Sequence, residues 1–421
     1  MIYGDTRMTF DPTAPALFGA ARLPRAILFG RGQRAALGSA SARLGRRALV
    51  CTDERQAAQP EFTAMLADLA AHGVETRVFD GTVPDLPLRS IDACVAAASG
   101  FDADVVIGIG GGSSLDLAKV AAVLLTHGGS VRDYYGEFAV PGPVMPLIAV
   151  PTTSGTGSEA TPVAVVADEE RGAKVGIASP HLIAQVAICD PELTVSCPPA
   201  LTAFSGADAL THAVEAYTTL ARPIDAMLTE QHVFVGKNVL SDHFATLAVT
   251  NVFRYLERAV VDGSDIEARE GVMLASLVAG CAFGTAGTAA AHALQYPVGN
   301  LTHTAHGQGV ATLLPYVMQF NRPACADGFA ELATLVGIGG ASVAERAQAF
   351  IDAVDALFQR IGVPRSLADL GLRAEQQDHV AEYSLNAARL IKNNPRPLDL
   401  AAMQTITRAA FAGDRATLLH A

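Results

Sequence analysis

Asp208 and His212 sit four residues apart in the segment "SGADALTHAVEAYTTL". On a helix, positions i and i+4 share one face. A carboxylate and an imidazole would then point the same way, close enough to grip one cation. A polar pair satisfied beside an apolar core has the same spacing. Downstream, "AAAHALQYPVGNLTHTAHGQG" supplies His292, His303 and His306. His292 and His306 are 14 residues apart, about 21 Å along one continuous helix and too far to share an ion. Pro297, Gly299 and Asn300 should break the helix between them and let the chain return. His303 and His306 compete for the last position, and Gly307 would let the backbone beside His306 approach closely. One carboxylate and three imidazoles make an N3O donor set, which suits Fe2+ or Zn2+ with an open position for substrate.

A second constellation is "VVIGIGGGSSLDLAK", an apolar strand, a glycine turn and a helix start. Gly110, Gly111 and Gly112 let the backbone come close to a phosphate. Ser113 and Ser114 follow where free N–H groups and the helix dipole favour an anion. The pattern is not the GxGxxG fingerprint, whose ribose-binding acid follows the turn. Here the acid, Asp53, precedes it, at the end of "ALVCTD". Asp53 either caps a helix or bonds the ribose hydroxyls, and the second role favours NAD over NADP. "PTTSGTGSEAT" (151–161) is another polar, glycine-rich loop after a strand, with Thr152, Thr153 and Thr156 near the same sheet edge.

The elements that must position these residues fall into two halves. "RAILFG" (25–30), "RRALVCTD" (46–53), "ETRVFD" (75–80), "ADVVIGIG" (103–110), "PLIAVPTT" (146–153) and "AQVAICDPEL" (184–193) read as strands. Helical segments at 61–73 and 90–101 alternate with them, and the run 103–128 is strand, glycine turn and helix. That alternation predicts a parallel sheet with helices on both faces. After "CPPALTAFSG" (197–206) only helical periodicity remains, for example over 207–219, 269–282, 341–361 and 399–412. The expected organisation is an α/β nucleotide-binding domain over 1–196 and an all-α domain over 197–421. Residues 1–24 read as a loop.

Composition narrows the partners. The 421-residue chain carries a net charge of −12 and a sequence pI near 5.3. That argues against nucleic acid or an anionic membrane surface. Half of the residues are hydrophobic, and alanine supplies much of that. No run reaches the roughly 18 uninterrupted apolar residues of a membrane helix. The first residues lack the basic and apolar regions of a signal peptide. Cys51, Cys94, Cys189, Cys197, Cys281 and Cys325 are scattered without CxxC spacing. Reduced, buried thiols in a cytoplasmic protein are expected.

Together, "GGGSSLDLAK", "PTTSGTGSEAT", "SGADALTHAVEAY" and "HALQYPVGNLTHTAHG" resemble the iron-containing (group III) alcohol dehydrogenases, over roughly residues 20 to 412. The resemblance implies a dehydroquinate-synthase-like fold, a homo-oligomer and a catalytic divalent metal held by Asp208, His212, His292 and His306. It implies cofactor contacts at Asp53, Gly111, Gly112, Ser113, Asp116, Thr152, Thr153, Thr156 and Lys174. It also implies a substrate-pocket aromatic at Phe283. Many members carry a second histidine four residues after the third ligand, and Tyr296 stands there. That tyrosine, with "EAYTTL" and "NVLSDHFAT", resembles the hydroxyacid–oxoacid transhydrogenase branch.

The expected chemistry follows. A carbinol carbon gives up hydride only when its oxygen is close to alkoxide, and no general base stands out in these motifs. A metal acting as Lewis acid fills that gap. Tyr296 or water would pass the proton. The leading expectation is an NAD-dependent metal alcohol dehydrogenase or aldehyde reductase, with Fe2+ or alternatively Zn2+, acting on a small alcohol, hydroxyacid or aldehyde. The alternative is a transhydrogenase with tightly held NAD. Arg396 in "NNPRPLDL" would either meet a substrate carboxylate or cap a helix end, and the structural role is favoured. Lys119 reads as a helix residue behind the glycine turn.

Overall fold

The computed structural model describes residues 17–419. Residues 17–24 form no regular element, and the rest of the expected N-terminal loop lies outside the described residues. Nine strands follow: β1 (Ala26–Phe29), β2 (Arg47–Cys51), β3 (Glu75–Phe79), β4 (Val105–Gly110), β5 (Gly136–Glu137), β6 (Leu147–Pro151), β7 (Val163–Asp168), β8 (Ala173–Ala178) and β9 (Val186–Cys189). Six of them form one sheet in the order β1-β9-β6-β4-β2-β3. Every pairing in it is parallel. β4 and β6 are buried along their whole length, because helices cover both faces. The chain winds outward through β2 and β3, then returns to lay β4 and β6 on the other side of β2. Such a reversal opens a crevice at the carboxyl ends of the strands. The loops carrying Asp53, Gly111–Ser113 and Thr152–Thr156 all leave from those ends.

A second sheet, β5-β8-β7, was not expected. Its β7–β8 pair is antiparallel, running Val163↔Ala178 to Asp168↔Ala173 around a turn at Glu169–Gly172. It packs against the glycine-turn helix Gly112–His127 and the helix Leu88–Ala98.

From Pro199 onward the chain is helical apart from loops. The helices Pro199–Thr218, Val239–Val261 and Ile266–Ala286 form an alanine-rich core with Phe234, Phe329 and Phe350. Each fully buried large apolar side chain contributes about 1.5–3 kcal/mol of transfer free energy. Short side chains let the helix backbones approach closely. The same closeness joins the sheet loop to the helices. Gly157 has φ +58°, and a Cβ on it would lie 2.5 Å from the Gly280 Cα.

The expected helix break near Pro297 is misplaced. Ala290–Thr302 is one helix that runs through Pro297, Gly299 and Asn300. The chain turns later, at His303, which takes φ 55° and donates its N–H to the Gly299 carbonyl at 2.9 Å. Proline in a helix interior costs about 3 kcal/mol. Packing of Leu294 and Val298 against Leu313, Tyr316 and Val317 offsets that cost. A sharper corner precedes this helix. Ile266–Ala286 and Ala290–Thr302 meet at 104°, through Gly287 at φ 91°. No single described helix is long and apolar enough to cross a membrane.

Candidate metal centre and nucleotide cleft

Asp208, His212 and Glu215 lie on one face of the helix Pro199–Thr218, at positions i, i+4 and i+7. His292 enters from the first turn of Ala290–Thr302, and His306 opens the helix His306–Leu335. Nε2 of His212 lies 3.8 Å from Asp208 Oδ1, and Nε2 of His292 lies 3.7 Å from the same oxygen. The ligating atoms of Asp208, His212 and His292 all fall within 4.8 Å of one another. The His306 ring is 5.4 Å from that of His292 and lines the same cavity. His303 is exposed and lies on the nucleotide side of the cleft. The backbone approach beside His306 is as close as the sequence suggested, since a Cβ on Gly307 would meet the Phe204 carbonyl oxygen at 2.4 Å.

Two atoms in this cluster are buried without a hydrogen-bond partner, Asp208 Oδ1 and His292 Nε2. Buried polar atoms are almost always paired. A bare carboxylate oxygen facing imidazole nitrogens, with no thiolate nearby, is the donor chemistry of a hard or borderline divalent cation.

Glu215 was missed by the sequence reading. Its carboxylate accepts from His292 Nδ1 at 2.6 Å and from the backbone N–H groups of Ala289 (2.9 Å) and Ala291 (2.7 Å). It therefore caps the incoming helix and fixes the His292 ring so that Nε2 faces Asp208. Its signal was in the quoted segment, three residues after His212 on the same helical face. The His212 Nδ1 faces the Gly155 carbonyl at 3.3 Å, which orients that ring as well.

Burial pushes the His212 and His306 imidazoles down, to about 4 and about 3. Both are neutral near pH 7, as ligation requires. Burial also lowers His292, but Glu215 and Asp208 outweigh it and raise that imidazole to about 9, so a bound cation would have to displace its Nε2 proton. Burial raises the Asp208 carboxyl, but the three imidazoles outweigh it and hold the group at about 2. Phe283 stacks on His212 with ring centroids 4.1 Å apart. The 104° corner brings it there and makes it an apolar wall of the cavity, together with Val163.

The nucleotide side of the cleft is lined by Asp53, Gly111, Gly112, Ser113, Thr153 and Thr156. Both readings of Asp53 fit its position. Oδ1 caps the helix Glu54–Ala57 by accepting from Gln56 N at 3.0 Å, and Oδ2 lies beside the Gly110 turn. Two expected contacts lie behind the cleft surface. Gly110 spends its carbonyl on Thr152 N at 2.9 Å, and the Thr152 side chain is buried. Asp116 and Lys174 line the cavity on the metal side instead. Asp116 accepts from Ser158 Oγ (2.6 Å) and Val165 N (2.9 Å), so it also ties the loop to β7. Lys174 pairs with Asp85 at 2.6 Å. Lys119, fully buried, bonds Ser158, Thr161 and the Val163 carbonyl. Burial pulls it down to about 8, against the opposing pull of Asp116 and Glu159. Gly112, Ser113, Thr156, Asp208 and His306 border both cavities, so the cleft opens directly onto the histidine cluster.

Two family models match the chain. Iron-containing alcohol dehydrogenase covers residues 24–191, and the Fe-containing alcohol dehydrogenase family C-terminal model covers 221–411. The chain belongs to the iron-containing alcohol dehydrogenase family. It is 38% identical over 377 residues to long-chain-alcohol dehydrogenase 1 of Geobacillus thermodenitrificans, covering 88% of this chain and 91% of that protein. The crystal structure of a 1,3-propanediol oxidoreductase superposes with a TM-score of 0.87 at 33% identity, over 94% of this chain and all of that one. Sulfoacetaldehyde reductase from Bifidobacterium kashiwanohense, solved in complex with NAD+, gives 0.80 at 29%, over 95% of this chain and all of that one. The chain is thus an alcohol oxidoreductase with the family's α/β and helical layers, and the family supports NAD and a divalent metal as its cofactors.

Proposed function

We propose that this alcohol dehydrogenase interconverts a small primary alcohol or hydroxyacid and its aldehyde, using NAD(H) and one divalent metal. The ligands are Asp208, His212, His292 and His306, and the native metal is Fe2+, with Zn2+ as the alternative. The observation that carries this reading is the pair of unpartnered buried atoms, Asp208 Oδ1 and His292 Nε2, beside a cleft lined by Asp53 and the glycine turn. The domains are 1–196 for the nucleotide and 197–421 for the metal. Six free, buried thiols fit a reducing cytoplasm, and the enzyme works as a homo-oligomer.

Bound together, the metal supplies Lewis acidity toward the substrate oxygen, and NAD supplies a hydride acceptor. The chain does the rest. The N–H groups at the start of Gly112–His127 would hold the pyrophosphate, and Ser113 would add a hydroxyl. Asp53 Oδ2 would accept from a ribose hydroxyl. Glu215 holds the His292 ring in place, and Phe283 keeps water from the apolar side of the cavity. Burial raises the Tyr296 phenol above its usual value, so it stays protonated at neutral pH and can give a hydrogen bond.

Metal analysis by mass spectrometry on wild type and His292→Ala, with NADH oxidation over a panel of aldehydes and oxoacids, tests the assignment. About one equivalent of iron or zinc per chain, lost together with activity in the variant, supports it. Full activity in a protein that binds no metal after anaerobic reconstitution overturns it. Tyr296, in place of the family's histidine, favours the transhydrogenase form as a second reading. That form would turn over without added NAD and require an oxoacid acceptor.

A further inference from the structure

The three relatives are named for long-chain alcohols, 1,3-propanediol and sulfoacetaldehyde, which differ in size and charge. The family fixes the reaction and leaves the substrate to the rest of the cavity lining. That lining has an uncommon feature. Beyond the histidine cluster the cavity continues into a second one, and Tyr296, Lys174 and Arg389 border both. The acids nearby are already engaged. Asp85 holds Lys174 at 2.6 Å. Glu137 holds Lys392 at 3.2 Å and accepts from Val233 N at 2.8 Å. Asp116 is bonded to Ser158 and Val165. Arg389 has no carboxylate within ion-pair distance among the described residues. Its guanidinium carbon lies over the Phe234 ring, 4.5 Å from the centroid. Tyr296 comes one helical turn after His292, about 6 Å further along the axis.

We infer that Arg389, with the Tyr296 hydroxyl, forms a carboxylate-binding subsite that selects alcohols and aldehydes bearing a terminal acid. A planar guanidinium held against an aromatic ring and lacking an acid partner is suited to bidentate recognition of a carboxylate. The partly enclosed cavity strengthens that contact relative to open solvent. The apolar lining that Phe283, Val163 and Val165 give the same cavity fits the short methylene chain of a hydroxyacid. Arg396 does not compete for this role, because it donates to the Phe320 carbonyl and lies over that residue's ring. The inference rests on the dehydrogenase reading and specifies its substrate class.

The test compares kcat/KM for 4-oxobutanoate and butanal, which differ only in the terminal acid, in wild type, Arg389→Gln and Arg389→Lys. Calorimetry of succinate binding to the metal- and NAD-loaded enzyme gives a readout independent of turnover. Wild type should favour 4-oxobutanoate by about 10- to 100-fold, the range for a hydrogen bond to a charged group. Arg389→Gln should abolish that ratio and succinate binding, and Arg389→Lys should restore part of both. An unchanged ratio in Arg389→Gln, or a wild type that treats both aldehydes alike, overturns the subsite. If neither aldehyde oxidises NADH in wild type, the dehydrogenase reading fails for this class. The succinate comparison then still decides the subsite, and equal binding by wild type and Arg389→Gln overturns it.

Discussion

Glu215 and His292 are 77 residues apart in sequence and 2.6 Å apart in space, carboxylate to Nδ1. The contact holds a buried imidazole with its Nε2 toward Asp208, as the proposed metal site requires. Glu215→Gln keeps the size but loses the charge, and metal affinity should fall about 10- to 100-fold. Chelator competition under anaerobic conditions measures it. Glu215→Ala also strands the N–H groups of Ala289 and Ala291, at about 1–3 kcal/mol. Its melting temperature should lie below that of the glutamine variant.

Asp53 separates capping from cofactor choice. Asn is as good a helix cap as Asp, so Asp53→Asn should leave the melting temperature nearly unchanged. On the proposed cofactor role it removes the negative charge that would repel a 2′-phosphate, so the preference for NAD over NADP should drop about tenfold. Asp53→Ala loses both, with about 1 kcal/mol of stability lost from the missing cap. Steady-state kinetics with both cofactors, beside thermal denaturation, distinguish the two variants.

Glu159 makes stability depend on pH. Burial raises its carboxyl from 4.5 to about 7, against the opposing pull of Lys119. Between those values the folded chain binds a proton that the unfolded chain has released. Stability from this group is present below pH 4.5 and lost as pH rises through 7. Glu159→Gln should flatten that decline. Denaturant midpoints measured at pH 5 and pH 7.5 in both proteins check it, and equal slopes would refute it.

Gly157→Ala should destabilise the enzyme by about 1–3 kcal/mol. The new methyl would need φ +58° and would press on Gly280. Because this contact seats the loop carrying Thr156 and Ser158, the KM for NAD should rise along with the loss of stability. Ala at Gly339, where a Cβ meets nothing within 4 Å, is the control.

What could be read along the chain was whatever depends on local spacing. The Asp208–His212 pair, the glycine turn before the helix at Gly112 and the parallel strands are repeats of 3.6 or 2 residues or single-turn chemistry. Such signals are written in consecutive residues, before any tertiary contact forms. The same periodicity already placed Glu215 on the ligand face, but spacing alone does not tell a ligand's support from an ordinary helix carboxylate. The antiparallel β7–β8 pair was missed because two short strands around a charged turn look like a loop until a sheet edge receives them. The break near Pro297 was misplaced because packing outweighed proline's local cost.

Tertiary structure alone decided which groups meet. His292 meets Asp208 and His306 enters the same cavity from two further helices, through a 104° corner and a left-handed turn at His303. Arg389 rather than Arg396 faces the cavity, although only seven residues separate them. Local chemistry was written in the sequence because backbone geometry is periodic. Convergence was not, because it depends on how closely alanine and glycine faces let the helices pack.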